Sequence, residues 1–259
     1  MRTISRLKAF GLFVLSLALW GCASSPADLL TPQGALRMGL YKGTPTSVLD
    51  FDGPGQTRGI GYELGKYLAA QLEVGYDPVV FEKNADVLAA IKSGSVDLVF
   101  TNASADRAKY IQFSKTVITI EKGFLMSPHS KIGLLSEINH RNVKIGYSVG
   151  SNSQSELPKL IPNATLVATQ STKSAIALLK SGELDGFSTN KAILYEMAAS
   201  IPKSRVLPVV IGYEYLALGT PKDRANSESV LNEFIDQMQV TGQLKAIIQR
   251  SGIQGLAPN

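Results

Sequence analysis

Polar and apolar positions alternate along the chain in two successive series, each typical of strands interleaved with helices. The first series predicts strand 36–41, helix 62–72, strand 78–81, helix 85–93 and strand 98–100. The second predicts strand 143–147, helix 153–160, strand 165–168, helix 173–181, strand 186–188 and helix 191–199. Strands that alternate with helices favour a parallel sheet. The two series correspond unit for unit, which predicts two similar α/β units.

A twelve-residue phrase closes a helix and opens a strand in both series. It spans 91–102 and 179–190, with Lys, Ser, Gly, Asp, Thr and Asn at matching places. Gly94 and Gly182 are placed to cap the helices in left-handed backbone. Ligands of open α/β sheets bind beyond the carboxyl ends of strands, so the polar pairs that follow are candidate ligand-binding residues. They are Thr101, Asn102, Thr189 and Asn190. The alternative is that the same residues recur by chance between a helix and a strand, as they often do in α/β proteins.

Extended segments are predicted at 118–126 and at 206–211 together with 215–218, and they are available to link the two units. The tail 227–249 has one apolar face, interrupted at Gly242, and that face needs a partner. We expect it to pack on the first unit, which makes that lobe discontinuous. Predicted lobe 1 comprises residues 34–127 and 219–259, and predicted lobe 2 comprises residues 128–218. Two crossings between lobes form a hinge that can close around a ligand.

The amino terminus combines basic residues without an acid, an apolar run over 9–20 and small residues after it. This pattern predicts a signal peptide, residues 1–21. The apolar run is short for a bilayer, which disfavours a permanent transmembrane helix. Cys22, the only cysteine, looks like the acylated residue of a bacterial lipobox; the alternative is ordinary cleavage beside an incidental cysteine. Residues 22–33 then form a lipid-anchored tether on a membrane surface.

Charge and composition narrow the function classes. Loss of residues 1–21 removes three of the 26 basic residues and none of the 21 acidic ones, which leaves 23 against 21 and a formal charge of +2. The remaining Lys and Arg residues are scattered, so nucleic acid is not an expected partner. With one cysteine there is no disulfide within the chain, and stability must come from burial.

Four segments resemble the family 3 extracellular solute-binding proteins. They are GIGYEL at 59–64, VLAAIKSGSVD at 87–97, ADRAKYIQFS at 105–114 and KIGYSVGS at 144–151. That family contains the receptors of polar amino-acid ABC importers. The resemblance implies an α/β, two-lobed periplasmic-binding-protein fold of type II, in which each lobe is a mainly parallel sheet flanked by helices. It also implies a monomer in the periplasm or at the cell surface, with an ABC permease of the inner membrane as its partner and no cofactor or metal.

The resemblance also implies a ligand site. Arg107 matches the arginine that grips the ligand's carboxylate, where a planar guanidinium fork can form two parallel hydrogen bonds. Asn102 stands where relatives place a carboxylate-binding threonine. In lobe 2 a turn before a helix faces the ligand with backbone N–H and hydroxyl groups. Its residues are Ser148, Gly150, Ser151 and Asn152. The alternatives are a solvated surface arginine and a plain helix cap.

Three positions depart from the family pattern. Asn190 replaces the aspartate that pairs with an α-ammonium, and an amide cannot supply that charge. Asn84, also a predicted N-cap like Thr172, stands where relatives often place a covering aromatic residue. Tyr41 either replaces that aromatic wall or packs at a strand end, with Tyr147 and Tyr62 as further neighbours. This polar set predicts a small carboxylate-bearing or anionic solute, either an amino acid or a similar molecule.

Two other functions stay open. An enzyme resembling cyclohexadienyl dehydratase would need an acid in the cleft, for which Glu156 is the nearest candidate, and His129 and His140 lie in hinge and loop positions. The expectation is therefore a binding protein without catalytic residues. A lipoprotein that senses its ligand without transport would use the same closing motion.

Overall fold

The computed structural model describes residues 25–49 and 57–258. The strands are β1 Ala35–Tyr41, β2 Gly75–Phe81, β3 Leu98–Asn102, β4 Ile111–Phe113, β5 Ile118–Met126, β6 Lys144–Ser148, β7 Thr165–Thr169, β8 Gly186–Asn190, β9 Arg205–Val206 and β10 Gly212–Pro221. The helices are α1 Pro26–Leu30, α2 Ile60–Gln71, α3 Asn84–Ser93, α4 Leu135–Ile138, α5 Ser153–Leu160, α6 Thr172–Ser181, α7 Lys191–Ala199, α8 Ser227–Val240 and α9 Gln243–Ser251. Among the described residues, no helix is long and apolar enough to cross a bilayer.

The strands join in the order β2-β1-β3-β10-β5-β8-β6-β7, with β4 on β10 and β9 on β5. In lobe 1, β1 pairs in parallel with β2 and β3. In lobe 2, β6 pairs in parallel with β7 and β8. The antiparallel strands β5 and β10 stand between these two groups. The predicted parallel sheet in each lobe is therefore present, and both linking segments belong to the sheet.

Each linking strand serves both lobes. Ile118 and Ile120 of β5 pack in the lobe 1 core, whereas Phe124 and Met126 pack in a lobe 2 core. On β10 the change falls before Leu216, which lies in the lobe 1 core. The packing thus changes from one core to the other inside each strand, and the lobe bounds at 127 and 218 stay a prediction. A strand that pairs throughout its length gives no break in its sequence pattern, so the sequence could not mark the crossing.

The carboxyl-terminal helices complete the core of lobe 1. The buried side chains of α8 and α9 pack with β1 and α2 in one cluster, and they are Leu231, Phe234, Ile235, Met238, Leu244 and Ile247. Helix α1 adds Leu30, which is 1% exposed. Part of the predicted tether is therefore structured and packed against lobe 1, because Leu30 has apolar surface to bury. The predicted signal peptide and Cys22 lie outside the described residues.

The helix ends confirm one prediction and correct another. Gly94 and Gly182 end α3 and α6 with φ of 72° and 78°, in left-handed backbone. The predicted N-caps are wrong by one residue. Lys83 is the N-cap of α3 and forms no side-chain cap bond, while Ser171 caps α6 by accepting from the N–H of Ser174. Asn84 is thereby free to serve another purpose.

Candidate functional site

A cavity of about 70 Å³ lies between the lobes, beyond the carboxyl ends of β1, β3 and β8. Most of the predicted ligand-binding residues line it: Tyr41, Asn84, Thr101, Asn102, Arg107, Ser148, Ser151, Thr189 and Asn190. Of the remaining predictions, Gly150 touches the site through its carbonyl oxygen and Asn152 does not line it. Tyr62 and Tyr147 do not line it either.

Arg107 is held in the wall of this cavity and is 7% exposed. It stands in a single 3₁₀ turn after β3. Its Nη1 donates to Thr101 Oγ1 at 2.6 Å and to the carbonyl oxygen of Asn102 at 3.4 Å, and its Nη2 donates to the carbonyl oxygen of Gly150 at 3.1 Å. Burial lowers the pKa of the guanidinium, and the nearby carboxylate of Glu214 opposes that shift. The guanidinium is therefore oriented, desolvated and in need of an anionic partner.

Asn102 has a structural task as well as a place in the cavity wall. Its Oδ1 accepts a hydrogen bond of 2.9 Å from the backbone N–H of Tyr215, which ties β3 to β10. The side-chain N–H groups are the part of this amide that can face a ligand. The sequence placed Asn102 beside the arginine but gave no sign of its bond to β10.

The two lobes touch across the cavity. Asn84 Nδ2 donates to the carbonyl oxygen of Gly150 at 3.1 Å, alongside the bond from Arg107. The N–H of Thr172, at the start of α6, donates to Tyr41 Oη at 3.1 Å. Tyr41 and Asn84 in lobe 1 therefore hold lobe 2 as well as lining the cavity.

Lobe 2 presents a hydroxyl group that has no partner in the described part of the chain. Ser151 Oγ is a buried atom in the cavity lining, and no described residue forms a hydrogen bond with it. Asn152 is the N-cap of α5 but makes no side-chain cap bond. A buried hydroxyl without a partner is costly, so Ser151 is suited to a ligand that accepts or donates a hydrogen bond.

The sequence reasoning missed Glu214. This residue lies on β10, is 7% exposed and lines the cavity. Asn190 Nδ2 donates to Glu214 Oε2 at 2.8 Å, while Asn190 Oδ1 accepts from the N–H of Ile193 at 3.1 Å as the N-cap of α7. The site thus contains a buried acid next to the position where the family pattern has an aspartate.

Lys122 and Glu156 form an ion pair beside the cavity. Lys122 lies on β5, and its side chain is 2% exposed. Its Nζ donates to Glu156 Oε2 of α5, which is not a cavity-lining residue. Burial lowers the pKa of Lys122; Glu214 opposes this shift and Arg107 adds to it. Glu156, the nearest candidate for the acid of an enzyme, is therefore engaged outside the cavity.

The histidines lie apart from the cavity. His129 Nε2 lies 3.1 Å from the carbonyl oxygen of Lys180 at an exposed position, and His140 is in a loop after α4. Neither lines the cavity. In residues 25–49 and 57–258, no cluster of three or more His, Cys, Asp or Glu side chains could hold a metal ion.

Residues 36–252 match the sequence model of a known family, the bacterial extracellular solute-binding proteins, family 3. The chain belongs to this family. That result confirms the family predicted from the four segments. It also confirms the prediction that this is an extracytoplasmic solute-binding protein.

Named relatives of this family 3 protein bind amino acids. It is 22% identical over 176 residues to the glutamine-binding protein of Geobacillus stearothermophilus, covering 66% of this chain and 67% of that protein. The solute receptor for L-cysteine of Neisseria gonorrhoeae has a TM-score of 0.79 at 21% identity and covers 91% of this chain and 100% of its own. An ancestral amino acid-binding protein, described as a precursor of cyclohexadienyl dehydratase, has a TM-score of 0.76 at 22% identity. The match covers 87% of this chain and 99% of the ancestral protein. These likenesses confirm the predicted two-lobed α/β fold.

Proposed function

We propose that this family 3 protein is the receptor of an ABC importer and captures a small, polar, carboxylate-bearing solute between its lobes. Buried Arg107 carries the proposal. Three of its five N–H donors are taken by described groups, so Nε and the second N–H of Nη2 can donate to a carboxylate. In a closed cleft such charge-assisted bonds lose little to water.

The size of the cavity supports a small solute. A cavity of about 70 Å³ is compact, which suits a small molecule. The named binding proteins among the relatives support an amino acid or a similar molecule.

The proposed mechanism is closure around the solute. The bonds of Asn84 and Arg107 to Gly150, and of Thr172 to Tyr41, are contacts of the closed form. A solute that touches Arg107 in lobe 1 and Ser151 in lobe 2 stabilises that form by its differential contacts. A permease can then distinguish the loaded receptor. A ligand sensor would use the same motion, and a permease gene beside the receptor gene would favour transport.

The deciding experiment is isothermal titration calorimetry of the purified protein with amino acids and with small hydroxy and keto acids. We expect Arg107→Ala to abolish binding and Arg107→Lys to weaken it, because a lysine keeps the charge but loses the fork. Arg250→Ala, which removes an exposed arginine paired with Glu63, is the control and should bind normally. Full affinity in Arg107→Ala would place the site elsewhere.

Catalysis is not part of the proposal. Glu156, the candidate acid for a dehydratase, is bonded to Lys122 outside the cavity, and Glu214, the acid in the cavity wall, is bonded to Asn190. We expect the bound solute to be recovered chemically unchanged after prolonged incubation, as measured by NMR. Release of water or carbon dioxide from it would show an enzyme.

The lipid anchor is a separate part of the proposal. Cys22 follows an apolar export signal, and acylation there would hold the receptor on a membrane. We expect Cys22→Ala to move the protein from the membrane fraction to the soluble fraction, without a change in affinity. Membrane association that survives the substitution would contradict lipidation.

A further inference from the structure

Glu214 brings a negative charge to the side of the cavity where the sequence indicated a neutral amide. Both Glu214 and Arg107 line the cavity, and each is 7% exposed. A carboxylate at this depth loses its hydration and requires a cation or several hydrogen bonds in return. Asn190 supplies one bond, and among described residues Glu214 Oε1 accepts none.

Asn190 is fixed in the orientation that presents its N–H₂ group to Glu214. Its Oδ1 accepts from Ile193 and completes the cap of α7, so the nitrogen must point the other way. The Asn190 side chain therefore holds the acid. Asn190 departs from the family pattern, and that departure argued against an amino acid as the ligand. The same side chain positions another carboxylate, that of Glu214.

Among the described residues, neither of the other buried cations, Lys122 and Lys191, forms a hydrogen bond with Glu214. Lys122 gives its hydrogen bond to Glu156 in lobe 2. Among the described residues, the cavity wall thus holds one cation, Arg107, and one carboxylate, Glu214, and the adjacent Lys122–Glu156 pair adds one of each. A zwitterion leaves this balance unchanged, whereas a simple anion adds an uncompensated negative charge close to Glu214.

We infer that Glu214, positioned by Asn190, binds the α-ammonium of a small zwitterionic amino acid whose carboxylate is held by Arg107. This inference rests on the proposed function and narrows it to one class of solute. Glu214 lies on β10, one of the two strands that cross between the lobes. The ammonium site is therefore on the hinge, and an amino acid bound there contacts the element that must bend.

The test compares ligands that differ in one group. L-Alanine and L-lactate share a carboxylate and a methyl group, and only alanine carries an ammonium. Calorimetry with small amino acids and their matched hydroxy acids should show binding of at least one amino acid, and binding of its hydroxy acid that is weaker on the order of 100-fold. In Glu214→Gln the affinity for that amino acid should fall on the order of 100-fold, because a buried charge loses its partner.

Two further variants separate charge from folding. Glu121→Gln makes the same change on neighbouring β5, where Glu121 pairs with Lys191 outside the cavity, and should bind like the wild type. Asn190→Asp combined with Glu214→Gln moves the acid to the family position and keeps a good N-cap. This double variant should recover most of the affinity that Glu214→Gln loses.

Failure of the inference and failure of the proposed function give different results. If hydroxy acids bind and amino acids do not, or if Glu214→Gln binds amino acids normally while Arg107→Ala does not, the inference is wrong and the carboxylate receptor stands. If no small carboxylate binds to the wild-type protein, both are wrong.

Discussion

The two copies of the twelve-residue phrase adopt the same helix–strand backbone, but their matching side chains make different interactions. In lobe 1, Asp97 is buried and accepts bonds from Arg37 and Arg224. In lobe 2, the matching Asp185 accepts a bond of 2.8 Å from the N–H of Lys144 at an exposed position. The same residue type at the same place is therefore a buried ionic centre in one lobe and a surface bond in the other.

The polar pairs at the strand ends differ in the same way. Thr101 and Asn102 accept from Arg107, and Asn102 also fastens β10. In the second copy, Asn190 caps α7 and holds Glu214. The first copy thus orients a cation and the second an anion. Repetition of a phrase predicts position in the fold, whereas the charges that surround it decide what each copy does.

The largest expected effect concerns the two matching aspartates of the repeated phrase. Asp97 is fully buried, and Asp97→Asn leaves two partly buried arginines without the carboxylate that they share, so it should lower the free energy of unfolding by about 3 kcal/mol. Asp185→Asn loses only one exposed hydrogen bond and should cost about 1 kcal/mol. Urea unfolding of both variants measures the difference. Equal losses would show that burial of Asp97 does not govern its contribution.

The same pair predicts how stability depends on pH. Burial raises the pKa of Asp97, but hydrogen bonds from Arg37 and Arg224 outweigh it and hold the pKa below the ordinary value of 3.8. A folded-state pKa below the unfolded one contributes stability that is full above the unfolded pKa and is lost as the pH falls through the folded pKa. Melting temperatures between pH 5 and pH 2 should therefore fall less steeply in Asp97→Asn than in the wild type or in Asp185→Asn. Parallel curves would contradict this assignment.

Much of this arrangement could be predicted from the sequence, because it follows from local patterns. The strand and helix order, the left-handed ends at Gly94 and Gly182 and the place of Arg107 all depend on neighbouring residues. The predicted segment 206–211 forms only a two-residue strand, since Pro208 has no N–H to donate.

The missed parts depend on long-range pairing. The predicted strand began at Tyr215, one residue after Glu214, although Tyr213 and Tyr215 are exposed and Glu214 faces inward with Leu216. That alternation was a usable signal for a buried acid. Its bond to Asn190 was not, because 24 residues separate the two along the chain.

A smaller effect is expected at Asn102 and Asn190, the matching asparagines of the two copies. Asn190→Ala removes a helix cap and should cost about 1 kcal/mol of stability. If Glu214 binds an ammonium, this variant should also weaken amino acids more than it weakens any acid without an ammonium. Asn102→Ala loses the bond to β10, costs about 1 kcal/mol and should weaken both kinds of ligand alike. Calorimetry on L-alanine and L-lactate gives the two ratios, and the same ratio in both variants would remove the distinction.

The smallest effect concerns the glycines that end the repeated helices. Both have positive φ, so a side chain is strained at either place, by about 1 kcal/mol. A Cβ at Gly94 meets no atom within 4 Å, whereas at Gly182 it comes to 3.3 Å from the ring of His129. Gly94→Ala should therefore show only the cost of left-handed backbone, and Gly182→Ala that cost plus the displacement of an exposed histidine. Thermal unfolding of the two variants, together with Gly182→Ala in a His129→Ala background, separates these contributions. If removing His129 does not bring Gly182→Ala to the level of Gly94→Ala, the two helix ends differ in their backbones and the repeat is less exact than its sequence indicates.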